Sequence, residues 1–139
     1  MFLGEFRHTI DEKGRLTIPA KYRGLLANGM VVTRGFDRNL MAFSLEGWEE
    51  LAERIKSLPI SDPSAREFRR RVFSGAIDLV PDRQGRILLP PYLREFAAID
   101  ADVVIAGMYN HLEIWNSQSW QVVRESSEGD EQRWENLGI

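Results

Sequence analysis

The sequence contains no cysteine, and this absence excludes several chemistries at once. A chain without thiols forms no disulfide scaffold, has no thiol nucleophile, and cannot bind zinc or an iron–sulfur cluster through cysteine. Histidine is scarce as well, since His8 and His111 are the two in the chain and neither stands in a metal-ligand spacing. Glycine-rich phosphate loops and serine nucleophile elbows are also missing. We therefore expect no metal, no other cofactor and no small-molecule substrate.

Long hydrophobic runs are missing too. No apolar stretch approaches the ~20 residues that span a bilayer, and Glu5 brings a charge too early for a secretory signal. The sequence thus predicts a cytoplasmic protein with no membrane partner. Its 139 residues suffice for one compact domain or two small intertwined halves.

Lysine is rare among the 18 basic residues, because all but Lys13, Lys21 and Lys56 are arginine. The formal net charge of −3 argues at first against a nucleic-acid partner. However, residues 125–139 hold five acids and one base, so the rest of the chain is close to neutral. The planar guanidinium group suits phosphates and guanine edges. Codon usage in a GC-rich genome explains an arginine excess equally well until positions are considered.

The two halves of the sequence match each other in order, with one inserted residue between two blocks of matches. At an offset of 71 the pairs are Phe2/Phe73, Gly4/Gly75, Asp11/Asp82, Gly14/Gly85, Arg15/Arg86, Pro19/Pro90 and Arg23/Arg94. At an offset of 72 they are Gly35/Gly107, Leu40/Leu112, Trp48/Trp120 and Glu53/Glu125. Two copies are too few for a solenoid, so the repeat predicts a pseudo-twofold domain. We expect a first repeat over 1–58, a linker or helix over 59–71, a second repeat over 72–124 and an acidic tail over 125–139.

Each half predicts the same series of elements, which together make an α+β fold. Strands over 2–10 and 72–80 lead into tight turns, and return strands over 15–18 and 86–89 complete two hairpins. Short helices follow over 20–26 and 91–98, then a second hairpin in each half, with Ser44 and Asn116 as helix N-caps. A further helix is predicted over 64–71, and the tail is either a frayed helix or disordered.

The motif Asp-x-x-Gly-Arg occurs at both turns. Its members are Asp11, Gly14 and Arg15 in the first copy and Asp82, Gly85 and Arg86 in the second. Turn geometry accounts for the aspartate and the glycine, which bond the local backbone and accept positive φ. It makes no demand for arginine. The arginine either pairs with the aspartate four residues earlier or contacts a ligand directly, and the two roles are compatible.

A DNA-binding interpretation uses both turns. Lys13, Arg15, Arg83 and Arg86 would lie on one surface, extended by Arg7 on the strand before the first turn. A two-stranded ribbon fits the major groove, and arginine bonds guanine bidentately. Because so few charges bind weakly, several subunits must act together.

Two other features have less specific interpretations. An aspartic dyad made of Asp11 and Asp82 needs burial, whereas turn aspartates beside arginines stay ionised, so we expect no enzyme. The basic run over 69–71 is more typical of a solvated helix face than of a phosphate or subunit contact. The equivalent aromatic pairs Phe43/Trp115 and Trp48/Trp120 are expected to pack in the core.

The two motifs resemble a known family. Phe2-x-Gly4, followed by Asp11-Glu-Lys-Gly-Arg15-Leu-Thr-Ile-Pro19, resembles the opening of MraZ, a bacterial transcriptional regulator, and Asp82-Arg-Gln-Gly-Arg86-Ile-Leu-Leu-Pro90 resembles its second half. The family's Asp-x-x-x-Arg signature corresponds to Asp11, Arg15, Asp82 and Arg86, and the basic residue inside the first motif to Lys13. Gln84 takes the matching place in the second motif, and Pro81 is a second departure.

The resemblance implies two tandem, pseudo-symmetric halves similar to SpoVT/AbrB swapped-hairpin β-barrels, with short flanking helices. It also implies a ring-shaped homo-oligomer, associated with the nucleoid, that binds short G-rich direct repeats in double-stranded DNA. The promoter would be that of the division and cell-wall gene cluster, usually repressed. The alternative is an antitoxin-like protein-interaction module whose acidic tail over 125–139 binds a basic partner.

Overall fold

A computed structural model describes residues 1–129 and 131–139. Within this part of the chain, eight strands and five α-helices follow one another, with two 3-10 helices. The first half contains β1 (Glu5–Thr9), β2 (Arg15–Thr17), a 3-10 helix (Ala20–Tyr22), α1 (Arg23–Leu26), β3 (Met30–Arg34), β4 (Leu40–Ser44) and α2 (Leu45–Lys56). The second contains α3 (Pro63–Gly75), β5 (Ile77–Leu79), β6 (Arg86–Leu88), α4 (Pro91–Phe96), β7 (Asp102–Gly107), β8 (Leu112–Asn116), α5 (Ser117–Ser127) and a 3-10 helix (Glu131–Leu137).

The strands form two antiparallel sheets, and both combine the two halves. The larger sheet has the order β1-β7-β8-β4-β3-β5, and the smaller is a ladder of β2 with β6. Thus β1 pairs with β7, β3 with β5 and β4 with β8. The mixed helix and strand composition confirms the coarse fold prediction. The described strands close no barrel.

The predicted first hairpin in each half is wrong in its pairing. β2 lies against β6 of the other half, and a single isolated bridge, Ile10 with Leu16, links it to the end of β1. Leu16 and Ile87 stand opposite each other in the β2·β6 ladder and are buried. Exchanging partners between halves lets both side chains enter one shared core, which a hairpin inside each half would not do.

That core lies between the ladder and the large sheet. Tyr22 is fully buried there, with the rings of Phe2 and Phe6 edge-on to it at 5.3 and 5.4 Å. β3 and β4 are almost continuously buried, as expected for central strands.

The aromatic pairs predicted from the repeat occupy equivalent places. Phe43 is buried with Trp48 5.8 Å away, and Trp115 is buried with Trp120 5.7 Å away, measured between ring centres. The two tryptophans are half-buried. The prediction of core packing is therefore confirmed for Phe43 and Trp115.

The helix caps follow the prediction. The Ser44 hydroxyl accepts a hydrogen bond from Gly47 N, and the side-chain oxygen Oδ1 of Asn116 accepts from Gln118 N and Ser119 N. These bonds satisfy N–H groups that the first turn of a helix leaves unpaired.

The predicted strand over 72–80 begins too early. Helix α3 continues to Gly75, because Val72 is buried two turns beyond Ala65 on the same face. Thr33 on β3 donates a 2.6 Å hydrogen bond to Val72 O. The Phe2/Phe73 and Gly4/Gly75 matches therefore have no structural counterpart.

The acidic tail is partly helical. α5 extends to Ser127, and a 3-10 helix occupies Glu131–Leu137, with no buried residue in either. Asp130, one of the five acids of the tail, lies outside the described residues. Among the described helices, none combines the length and apolar character needed to cross a bilayer.

Candidate nucleic-acid interface

Both turns are closed by their aspartate. Asp11 Oδ1 accepts from Lys13 N at 3.0 Å and from Arg15 N at 2.8 Å, and Oδ2 accepts from Arg15 Nε at 2.6 Å. Gly14, at φ +86°, donates its N–H to Asp11 O. One carboxylate thus fixes both the turn and the first guanidinium of the following strand.

The second turn repeats this pattern. Asp82 Oδ1 accepts from Gln84 N and Arg86 N, both at 2.9 Å, and Oδ2 accepts from Arg86 Nε at 2.9 Å. Gly85 lies at φ +74°. Gln84 uses its backbone in this turn, so the departure from the basic residue of the first turn leaves the turn geometry unchanged.

The hydrogen bonds and the arginines also change the acidity of the aspartates. The Arg15 backbone N–H, followed by its side chain, holds the pKa of Asp11 below its usual value. The Arg86 backbone N–H and side chain lower the pKa of Asp82 in the same way. Both carboxylates therefore stay ionised at neutral pH, where a shared-proton dyad would need one of them neutral.

The ladder register decides where the two arginines lie. Arg15 stands opposite Leu88, and Arg86 stands opposite Thr17. Because side chains alternate across a strand, these four residues share one face, while Leu16 and Ile87 occupy the buried one. Arg15 and Arg86 are therefore diagonal neighbours, positions that are typically about 7–8 Å apart in an antiparallel ladder. Their side chains are 36% and 32% exposed.

Each turn rests on an arginine of the other half. Arg23 Nε donates to Ile18 O at 3.1 Å and lies under Gly85, and Arg94 Nε donates to Leu89 O at 3.0 Å and lies under Gly14. The repeat matches Arg23 with Arg94, yet sequence reasoning assigned them no role. Arg23 and Arg94 support the turns because the two halves exchange strands. The spacing of residues in the sequence did not show this exchange.

The remaining candidate residues are distributed unevenly. Lys13 and Arg83 are exposed at the two turns. Arg7 lies on the opposite face of β1 from His8, and its Nη1 donates to Ser117 at the start of α5 at 3.2 Å. Phe6 and His8 share the other face of β1 and are half-buried, and the Phe6 ring packs against the buried Tyr22. Burial, and then the charge of Arg23, lowers the pKa of His8. Arg7 is therefore not brought together with the four residues at the turns.

Comparison with known proteins identifies the family of this chain. A family model described as "MraZ protein, putative antitoxin-like" matches residues 1–71 and again residues 72–136. The chain belongs to the MraZ family. The resemblance drawn from the two Asp-x-x-Gly-Arg motifs is thereby confirmed.

Curated MraZ relatives cover most of the chain. "Transcriptional regulator MraZ" of Herpetosiphon aurantiacus is 56% identical over 126 residues, which is 91% of this chain and 88% of the relative. The protein of the same name from Roseiflexus castenholzii is 56% identical over 123 residues, or 88% and 86% of the two chains. That of Moorella thermoacetica is 46% identical over 129 residues, or 92% and 90%. All three are named as regulators rather than enzymes, which confirms that the chain is not an enzyme.

One solved structure is also similar in part. The solution structure of PHS018 from Pyrococcus horikoshii matches 82% of this chain and 88% of its own, with 15% identity and a TM-score of 0.35. This likeness is too weak to indicate a common fold.

Proposed function

We propose that the chain is a sequence-specific, DNA-binding transcriptional regulator. The observation that carries this proposal is the register of the β2·β6 ladder, which puts Arg15 and Arg86 on one exposed face. A two-stranded ribbon of this width enters the major groove, where guanidinium groups bond guanine O6 and N7. Lys13 and Arg83, exposed beside them, would hold phosphates. Arg7 would be a peripheral contact, because it lies on the far face of β1.

The aspartates give the arginines their direction. Each Asp Oδ2 binds the Nε edge of its arginine, so the outer Nη groups stay available for a base edge. Holding the side chain in advance reduces the entropy lost on binding. Asp11 and Asp82, with Gly14 and Gly85, thus structure the interface without touching DNA.

One subunit has too few cations at this interface to bind DNA tightly, so several subunits would have to bind together. One ladder offers two arginines and two exposed turn cations, which neutralise too few phosphates for tight binding. A ring-shaped homo-oligomer would present several ladders to consecutive direct repeats, spaced by about one helical turn, ~10 bp. The regulated DNA would be the promoter of the division and cell-wall cluster, bound in the nucleoid and repressed. The two halves would be SpoVT/AbrB-like swapped-hairpin units, with boundaries near 58, 71 and 124.

Substitution of Arg15 tests the proposal. In a mobility-shift titration on the DNA upstream of its own gene, Arg15→Ala should weaken binding by about 1–3 kcal/mol for each base that the guanidinium no longer bonds. The slope of log affinity against log salt should be about −0.9 per phosphate contacted. Arg54→Ala, which removes an exposed arginine on α2, is the control. Equal affinity of both variants, or binding that ignores salt, contradicts the proposal.

The antitoxin-like alternative depends on the acidic tail. It is favoured by the exposure of Trp134 and Leu137, an apolar pair without a place in the core. Removing residues 125–139 separates the two functions. Loss of a co-purifying basic protein, with DNA affinity unchanged by Arg15→Ala, would support the alternative.

A further inference from the structure

Three arginines converge on one aromatic ring at the end of α4. The Cζ atoms of Arg34, Arg38 and Arg71 lie 5.8, 4.9 and 5.2 Å from the centre of the Phe96 ring. Together with Tyr92 they line a cavity of about 480 Å³. We call Arg34, Arg38 and Arg71 the arginine cluster. It draws on β3, the β3–β4 loop and the end of the basic run over 69–71.

Positive charge exceeds negative charge around the arginine cluster. Within the described part of the chain, none of its three guanidinium groups forms an ion pair. Arg71 Nη2 donates to Gly35 O at 3.1 Å, but Arg71 Nε is buried without a hydrogen-bond partner. Glu95 lines the same cavity and offsets one of the three charges. Crowded like charges and an unsatisfied buried N–H are both unfavourable, and an anion in the cavity would relieve both.

The acidic tail carries matching groups. In the 3-10 helix Glu131–Leu137, Glu131, Trp134 and Leu137 are spaced by three and so share one face. Trp134 is 45% and Leu137 67% exposed. Neither Glu131 nor Glu135 makes an ion pair with a described residue. This face has one carboxylate, that of Glu131, and an aromatic ring, and Glu135 adds a second carboxylate on the adjacent side of the helix. Carboxylates and aromatic rings are the two partners that guanidinium groups prefer.

The tail and the cluster lie toward opposite edges of the large sheet. α5, which precedes the tail, is held at the β1 edge by Trp120 and Arg124, both bonded to the Glu5 carboxylate. The cluster lies at β3, four strand positions from β1 in the sheet order. Four strand spacings amount to about 19 Å. To reach the cluster of its own chain, the tail would have to extend across the large sheet. The tail of a second copy can reach the cluster from outside.

We propose that the arginine cluster binds the C-terminal 3-10 helix, residues 131–137, of a second copy of this chain. The Glu131 and Glu135 carboxylates accept hydrogen bonds from the guanidinium groups, and the Trp134 ring stacks on one of them. The two surfaces differ, so the contact is head-to-tail and propagates to a closed ring or an open chain. The arginine cluster then has a subunit-binding role. This differs from the interpretation of the basic run over 69–71 as a solvated helix face.

The absence of cysteine makes a direct test possible. Glu95→Cys places a thiol at the cavity and Gln132→Cys places one in the tail, and both positions are exposed. The two full-length single-cysteine proteins are mixed and oxidised under mild conditions. A disulfide-linked heterodimer should form, and should form far less when Gln84→Cys, an exposed residue of the second turn, replaces Glu95→Cys. Adding Arg38→Glu to the Glu95→Cys chain, or Glu131→Arg with Glu135→Arg to the Gln132→Cys chain, should lower the yield about tenfold.

Three outcomes would overturn the proposal. The first is a heterodimer yield no greater than that of the Gln84→Cys control. The second is a crosslink in the Glu95→Cys/Gln132→Cys double variant that joins the two sites within one chain at every concentration. The third is protection of Glu95→Cys from alkylation by promoter DNA, with no effect of reversing the tail charges, because the cluster would then be a DNA contact. None of the three depends on Arg15, so the DNA-binding proposal stands or fails separately.

Discussion

Arg23 lies directly beneath Gly85, so that a methyl group added to this glycine would stand 2.5 Å from Arg23 Nε. Arg94 has the same relation to Gly14, at 2.9 Å. Each glycine therefore serves twice, since it takes a positive φ and leaves room for an arginine of the other half. The turn of one half is thereby supported by a side chain of the other. We therefore expect a change in either half to affect both turns.

Gly85→Ala should destabilise the protein by about 1–2 kcal/mol from the positive φ alone, before any displacement of Arg23. Gly24→Ala is the matched control, because Gly24 is helical and a Cβ there meets nothing within 4 Å. It should be neutral or stabilise by about 0.5–1 kcal/mol. Urea unfolding of both variants measures the difference. Equal stabilities would show that the second turn tolerates a Cβ and that Arg23 does not support it.

Acid should weaken the fold through the two turn aspartates. Their native pKa values lie below the unfolded value of about 4. Their stabilising contribution is therefore complete above that pH and is lost as pH falls through the native pKa values. In the Asp11→Asn/Asp82→Asn variant, the amide oxygen still accepts from the turn backbone but no longer titrates. The free energy of unfolding, followed from pH 6 to 2, should fall less steeply in this variant than in the natural protein, and parallel curves would contradict this account.

Thr33→Val should cost about 1–3 kcal/mol, because it removes the hydroxyl that satisfies the Val72 carbonyl near the end of α3. Both groups are buried, so water cannot replace the bond easily. Thr9→Val changes the same atoms at an exposed position of β1 and should shift stability by less than about 0.5 kcal/mol. Chemical denaturation of the pair decides whether β3 and α3 are tied by this bond.

The β2·β6 ladder has a buried leucine, Leu16, and an exposed one, Leu88, so the effects of truncating them on stability can be compared. Leu16→Ala should destabilise by about 2–5 kcal/mol, since Leu16 is fully buried in the shared core. Leu88→Ala, on the Arg15 face and 55% exposed, should change stability by less than about 0.5 kcal/mol. Similar losses in thermal unfolding would mean that the Leu88 face is covered in the protein as it exists in solution.

The sequence predicted local structure well where a few neighbouring residues determine it. Asp11 and Gly14 define a turn by their own hydrogen bond and φ, and Ser44 caps α2 by accepting from the N–H of Gly47, three residues later. Partner choice was not predictable in this way. The residues next to β2 do not specify whether it pairs with β1 or with β6, whereas pairing with β6 places the buried Leu16 opposite the buried Ile87. The helix end at Gly75 was missed for the same reason, since Val72 is held by Thr33, which lies 39 residues earlier.

The pairing of β1 with β7 has a consequence during synthesis. Thr9 leaves the ribosome almost one hundred residues before Gly107, the last residue of its partner strand. At about 5–20 residues per second, the amino-terminal strand waits roughly 5–20 s with its edge unpaired. During that interval the unpaired edge of β1 is accessible to neighbouring nascent chains on the polysome. A chaperone that protects this edge, or a second copy that pairs with it, would have to bind within those seconds.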